Sequence, residues 1–468
     1  MAENQFEVPS YVKQEITKRG YVMPPRMDTY IEQWYQWYTG THAWYKESYV
    51  GFDNKQHSRD KLSLRPARRV CREWASLIAN EMEAKSESQN ANNWIHDYCE
   101  DNAVYTLFQR GIERAFAMGT GAMALWFDIA EESASIRIRR YDAKMIIPLT
   151  WDEDGTTECA FCTRVTIKGK QAIQLQMHVL DSETQTYHII TKVFLDDKAV
   201  NPDALGIIED FDTQCSTQTF CLISPAIDNT VQDTSPYGMS IFHDAIGAMK
   251  LLDAAWTATY DEIDLLRAIL MLPDTMIDAQ TDEEGNIKAV AFGDKDQRLF
   301  RLTGSPVGQD TKPFAFTPQM RTQSIHEAYA DACAALGDQC GFGSQYFSPD
   351  KSGGLKTATE VSADNSALMR NIRNHENAIG KGLSILLTSL CTCARIHCGA
   401  QIEDTFDQIT IQWDDSIITD TSAEKTQMMA EISAGIVPKW MYLMRFYGMS
   451  EEEAQATAPE QTTIDVGF

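Results

Sequence analysis

The sequence predicts an α+β fold, and three observations carry that reading. Apolar residues recur at helical spacing up to Met118 and again from Ser240, while between Ser135 and Asp196 they alternate with period two. A small β-rich insert then separates two helical segments, which places it at the tip of a helical pair. Finally, a glycine-rich aromatic loop, residues 341–354, runs into a helix with few breakers for about forty residues. That is two- to threefold longer than the usual globular helix.

Residues 1–26 are polar and carry Pro9, Pro24 and Pro25, which predicts an extended arm. The first strong helix holds Tyr30, Ile31, Trp34, Trp37 and Tyr38 at i, i+4, i+7 spacing and breaks at Gly40; so large an aromatic face needs a partner surface, in the core or on another subunit. A second helix over 65–82 repeats Val70, Trp74, Leu77 and Ile78, and a third over 92–118 stops at Gly119-Thr-Gly121. Residues 122–128 read as a buried strand, and 135–196 as an antiparallel meander with a turn at Asp152-Glu-Asp-Gly155. Helix returns over 240–272, where Ile241, Ala245, Ala248, Leu252 and Ala255 form one stripe and Pro273 ends it. Strand and turn signals fill 273–318, and helix resumes over 322–336. In the long helix that follows the loop, Thr357 and Glu360 have capping-box spacing. A strand at 409–413, short helices opened by Thr421/Glu424, Pro438 and Ser450/Glu453, and a polar tail complete the chain.

At 468 residues the chain exceeds one compact core, so two or more domains are expected. It holds 67 acidic against 41 basic residues, net −26, with a pI near 4.7. Phosphate binding is carried by lysine and arginine, so this balance excludes a broad grip on nucleic acid. The polar, acidic start lacks the features of a signal peptide, and no apolar stretch of about 18 residues predicts a membrane span. Eleven scattered cysteines read as reduced thiols.

Chemistry-bearing patterns are few. Cys159-Ala-Phe-Cys162 falls in strand-like sequence, where residues three apart point to opposite faces. Cys391, Cys393, His397 and Cys398 cluster on a helix that turns Cys393 away from the other two thiols, which favours buried structural thiols over a metal site. Asp414-Asp415 and Asp404/Asp407 could be divalent-metal carboxylates, as a metal-dependent nuclease would need, but acidic pairs abound here by composition. No phosphate-binding loop, dinucleotide fingerprint or serine elbow occurs. No catalytic set and no cofactor are expected, and a structural or conduit role leads.

Six segments in order resemble the portal protein of tailed bacteriophages, in the subtype of long-tailed phages of Gram-positive hosts. They are Arg65-Pro-Ala-Arg-Arg-Val-Cys-Arg-Glu-Trp-Ala-Ser-Leu-Ile-Ala-Asn-Glu81; Ala117-Met-Gly-Thr-Gly-Ala122; Tyr141-Asp-Ala-Lys-Met-Ile-Ile-Pro148; Tyr237-Gly-Met-Ser-Ile-Phe242; Lys356-Thr-Ala-Thr-Glu-Val361; and Gly435-Ile-Val-Pro-Lys439. The resemblance implies a homo-oligomeric ring, twelve-membered in the capsid, through which double-stranded DNA is packaged and ejected. It implies an α+β portal fold: an arm (1–26), a wing (27–238), two stem helices (239–272 and 321–340) and a β-rich clip between them (273–320). A tunnel loop (341–356), a long strut helix with a return strand (357–421), a short helical crown (422–456) and a flexible tail (457–468) would follow. Implied partners are the terminase large subunit, major capsid and scaffolding proteins and a head-tail adaptor, in a virion assembled in the host cytoplasm, with no membrane. The alternative is a minor capsid or connector protein that does not line the DNA path.

Within that reading, Gln345, Tyr346, Phe347, Lys351 and Lys356 would face DNA from the tunnel loop. Ala245 and Ala248 would let stem helices approach closely, while Lys250, Asp253, Asp261, Glu262 and Arg267 would face the lumen or a neighbour. Lys288, Lys295, Arg298, Arg301 and Lys312 would make the clip a docking surface.

Overall fold

The computed structural model describes residues 6–25, 27–50, 54–80, 82–130, 133–167, 169–265, 269–273, 299–302, 314–316, 319–348, 358–413, 421–447, 449 and 451–458. The chain divides into two units, one of Met1–Ala79 and Ala84–Ile411, the other of Asn80–Glu83 and Gln412–Phe468.

The first unit opens with a correction. Within the arm expected to be extended lies helix α1 (Ser10–Lys18), started by Pro9 and ended at Arg19. Val12 and Ile16, four apart and so on one face, are fully buried against Leu175, Met177 and Phe194. The segment is polar on average because only this narrow stripe is inward. Helix α2 (Asp28–Thr39) buries Ile31, Trp34, Trp37 and Tyr38, so its aromatic face packs inside the subunit, and Gly40 at φ +72 closes it. A hairpin of largely exposed strands, β1 (Lys46–Val50) and β2 (Gln56–Asp60), follows; it carries no apolar alternation to announce it. Helix α3 (Pro66–Ile78) has proline in its first turn and buries Val70, Trp74 and Ile78; β3 (Met82–Lys85) is a short strand beyond it.

The single helix expected over 92–118 is two: α4 (Gln89–Asp101), capped by Ser88, and α5 (Val104–Met118). Ala103 breaks them at φ +48, a left-handed conformation no apolar periodicity reveals. After Gly119, β4 (Gly121–Ala130), β5 (Ser133–Asp142), β6 (Ile146–Asp152), β7 (Gly155–Ile167), β8 (Lys170–Leu180), β9 (Tyr187–Leu195), β10 (Lys198–Val200), β11 (Asp210–Asp212) and β12 (Phe220–Ile223) run in series. The expected meander is therefore divided between two sheets. One has order β12-β4-β5; the other has order β10-β9-β8-β7-β6, with β11 also on β9. Residues of alternate parity sort the strands of the larger sheet between its faces. On β8, Leu175, Met177 and Val179 meet α1, while Phe161 of β7 and Tyr187 of β9 join Ala122, Ala124 and Phe220 of the smaller sheet.

Helix α6 (Ile246–Leu265) is shorter than the 240–272 predicted. Ile269-Leu-Met-Leu-Pro273 is instead strand β13 (Ile269–Pro273), parallel to β14 (Leu299–Leu302) and antiparallel to β15 (Phe314–Phe316). Periodicity cannot distinguish so short an apolar run from helix. Helix α7 (Thr322–Gln339) packs along α6, and the 41-residue α8 (Ala358–Cys398) runs to Cys398, as its sequence predicts. The segment Ala367–Cys398 is long and apolar enough by length and composition to cross a membrane, contrary to the sequence reading. More than half of its most apolar window is buried within the protein, where Leu383, Leu386 and Leu390 reach zero exposure. Gly382 lets α8 approach β12, since a Cβ there would lie 3.2 Å from that of Cys221. Strand β16 (Thr410–Trp413) pairs with β3.

In the second unit, α9 (Thr421–Ser433) ends at Gly435, φ +71, with the Ile436 N–H donating to Glu431 O. Helix α10 (Lys439–Tyr447) follows Pro438, and α11 (Glu451–Thr457) buries Ala454.

Candidate functional site

Trp74 of α3 organises the region where the glycine-rich loop leaves α7. Its indole N–H donates to Cys340 O at 3.0 Å, its ring lies 4.5 Å from Phe342 and 4.7 Å from His375 of α8, and the Asn371 amide donates to Gly341 O at 2.7 Å. Gly341 and Gly343 hold φ +82 and +89, and a Cβ on Gly337 would strike Gly343 O at 2.3 Å, so the loop's first turn closes on the helix that precedes it.

The two aromatic residues expected to face DNA are placed elsewhere. Phe347 is buried against Phe342 beneath the Arg69 guanidinium at 4.9 Å, and Tyr346 stacks on Phe342 at 4.7 Å while its hydroxyl donates to Glu73. Burial and that carboxylate push the Tyr346 phenol up to about 12. Apolar rings beside α3 gain more from its surface than from solvent, so they anchor the loop's base. Gln345 between them is exposed. Lys351, Lys356 and Thr357 lie outside the described residues, as does the side chain of Glu360.

The α6/α7 pair is antiparallel: Arg321, just before α7, donates to Glu262 near the end of α6 at 2.8 Å. That ion pair lowers the Glu262 carboxyl below its ordinary range. Asp261 also finds a partner in its own chain, Arg59 of β2 at 3.0 Å. Asp253, expected at the lumen or a neighbour, is wholly buried. It accepts from Tyr45 Oη (2.9 Å), Ser63 Oγ (2.9 Å) and the Leu64 N–H (2.8 Å), while desolvation raises its carboxyl above the ordinary range. It ties the segment after the β1–β2 hairpin to α6. Lys250 stands 5.8 Å over Trp37, and Ala245 and Ala248 are buried within the subunit. Arg267 lies outside the described residues.

What α6 does leave open is apolar. Trp256, Tyr260 and Ile263, on one face at helical spacing, are 42%, 54% and 60% exposed, and Leu251, well round the helix from them, is 47% exposed. In the insert, Lys288, Lys295, Arg298 and Lys312 lie outside the described residues, and Arg301 is described only as backbone of β14.

The thiol patterns resolve into packing. Cys159 and Cys162 are buried on opposite faces of β7. Cys391 and Cys393 are buried, Cys398 is exposed, and His397 Nε2 lies 2.9 Å from Thr213 O, so the four do not converge. Among the described residues no three histidine, cysteine or acidic side chains are placed to hold a metal. Asp404 pairs with Arg395 at 2.5 Å, and Asp414 and Asp415 lie outside the described residues.

Three of the recurrent segments meet in space. A Cβ on Gly238 would fall 2.5 Å from Gly119 O, and one on Gly119 2.4 Å from Gly238 O; the Gly238 N–H donates to Thr120 Oγ1 at 2.9 Å. Tyr237 Oη donates to Ile146 O at 2.7 Å, and the Ile241 N–H to Phe116 O at 3.1 Å. This knot seats the start of α6 on the sheets. Glycine at both positions was the available signal; that they face each other was not in the sequence.

The chain is similar to chains in the neck of an empty GTA particle computed with sixfold symmetry (12% identity, 96% of this chain and 98% of that one, TM-score 0.43) and of a native one computed with twelvefold symmetry (11%, 96% and 99%, 0.45). A chain in the virion of a native gene transfer agent particle gives 12%, 96% and 99%, and 0.43. No curated protein matches. The family described as "Phage portal protein, SPP1 Gp6-like" matches residues 26–465, and with that span the chain belongs to the phage portal protein family.

Proposed function

We propose that twelve copies form the ring at one capsid vertex through which double-stranded DNA is packaged and ejected. The observation that carries this is the family match over residues 26–465. Two features of α6 support it. The helix keeps large apolar residues exposed on separate faces, as a pillar flanked by identical neighbours requires in a closed heterologous ring. It is also joined to an antiparallel partner through an insert, the arrangement of a stem (239–272 and 321–340) carrying a clip (273–320). In this reading the clip docks the terminase large subunit and later the head-tail adaptor, and the remainder of the first unit meets major capsid and scaffolding proteins. Residues 422–456 make the crown. The subunit is assembled in the host cytoplasm for a long-tailed phage of a Gram-positive host, and acts without catalysis.

Acidic walls repel phosphate and keep the duplex from adhering. The grips are then the few cations after Ser348, Lys351 and Lys356, with the aromatic base fixed on α3 behind them. Negative-stain images of the purified protein test the reading: a ring with a central hole near the width of duplex DNA is expected, and a monomer in the native particle would overturn it. Lys351→Ala with Lys356→Ala should weaken DNA retention severalfold without stopping assembly, measured as packaged DNA per particle; normal retention would make both lysines bystanders.

A further inference from the structure

Although the chain carries a net charge of −26, helix α3 presents a cationic face that nothing in its own chain neutralises. Arg68, Arg69 and Arg72 share one side of the helix, opposite the row that buries Val70, Trp74 and Ile78, and Arg65 immediately precedes it; all four are exposed. Arginines elsewhere find carboxylates: Arg59 meets Asp261 at 3.0 Å, and Arg114 meets Asp142 at 2.6 Å. Among the described residues no carboxylate pairs with any of the four on α3, although the chain holds 67 acidic residues. The acid of α3 itself is withheld from them. Glu73 stands four residues after Arg69, the spacing of an ion pair on a helix surface. It accepts instead from the Tyr346 hydroxyl at 3.2 Å, while the Arg69 guanidinium lies over the Phe347 ring at 4.9 Å. The base of the glycine-rich loop thus occupies the nearest acid and leaves the arginines their charge.

Uncompensated guanidinium groups select an anion, and arginine in preference to lysine suits one that offers two oxygens to a planar fork, a phosphate or a carboxylate. Position decides between these. The face adjoins the root of the loop whose sequence carries Lys351 and Lys356, so it continues the cations assigned above to the path of the duplex. The overall charge excludes a broad grip on nucleic acid, but not a local one on a single helix face.

We infer that the arginine face of α3, Arg68, Arg69 and Arg72 with Arg65 beside them, is a further contact for the phosphate backbone of duplex DNA, carried on the body of the subunit rather than on the loop. The inference rests on the reading of the chain as a ring around DNA and names additional residues for it. Such contacts position a duplex without reading its sequence, and each neutralised phosphate steepens the dependence of binding on salt.

The test treats native particles, filled with DNA or emptied of it, with phenylglyoxal, which modifies accessible guanidinium groups, and follows Arg68 and Arg72 by mass spectrometry of the digested chain. Both should be modified severalfold less in filled particles. Equal reactivity in the two, or protection in both because a neighbouring copy covers the face, would overturn the inference. A second arm measures binding of a short duplex of random sequence to the purified full-length protein as salt is varied. Arg68→Gln with Arg72→Gln, both exposed and clear of the loop's anchor, should make the slope of log affinity against log salt shallower by about 2. A ring that forms and binds the duplex with an unchanged slope would overturn the assignment of α3 alone; no ring, or a ring that binds no duplex, would overturn the reading beneath it as well. The particle comparison needs no variant, so it decides the matter even if the double substitution does not fold.

Discussion

Gly119 and Gly238 come within van der Waals limits of each other's carbonyl, where neither can carry a side chain without moving backbone. Gly238→Ala should destabilise the chain by about 3 kcal/mol, read as a lowered denaturation midpoint; an unchanged midpoint would show that the two segments can part at little cost. His375 offers a second test. Its Nδ1 accepts the Ala226 N–H at 2.9 Å among Trp74 and Phe116, and burial lowers its pKa from 6.5 to about 4. The unfolded chain therefore binds a proton that the folded one refuses. Stability should fall as pH drops from about 6.5 to 4, by up to about 3 kcal/mol, with no further loss from this group below. Urea unfolding across that range should show a shallower slope in His375→Gln. Individual residues were legible in the sequence mainly as types: the glycines and Trp74 stood out, whereas Asp253 was assigned outward because its hydroxyl and amide partners lie about 190 and more positions away.

Among the elements, α1 shows how a short stripe hides in polar sequence. Val12→Asp places an unpaired charge against Leu175 and Met177 and should cost 3 kcal/mol or more, on the order of a buried unpaired ion. The expected outcome is release of α1 from the sheet, detected as trypsin cleavage after Lys13 and Lys18 that the parent resists; equal cleavage of both would show α1 to be loosely held already. Long elements were readable, α8 above all, because many turns of consistent periodicity outweigh local ambiguity. Ile269-Leu-Met-Leu-Pro273 was not, since five apolar residues fit a strand or a turn of helix equally. The break at Ala103 escaped because a left-handed residue needs neither glycine nor proline. The division of the meander into two sheets depends on β12 pairing with β4 about a hundred residues earlier, which no local pattern encodes.

At the scale of the whole molecule, charge is the dominant sequence-level property. Each chain carries −26, so assembling the proposed ring of twelve sets like charges side by side, and screening should favour the ring. Sedimentation at low and high salt is expected to show a larger fraction of rings at high salt; the reverse would indicate that ion pairs between subunits hold the ring, as the exposed apolar residues of α6 do not require. Fold class and family were legible from ordered segments spread along the chain.

The placement of α1 also sets an order of events during synthesis. Val12 and Ile16 leave the ribosome well before the surface that receives them, which is made by Leu175, Met177 and Phe194. Until that later stretch has been translated, the amphipathic stripe has nothing of its own chain to rest on, and long-range closures of this kind are slow. The stripe is thus sealed only some time after it is made, and for that interval a holdase chaperone would find it available.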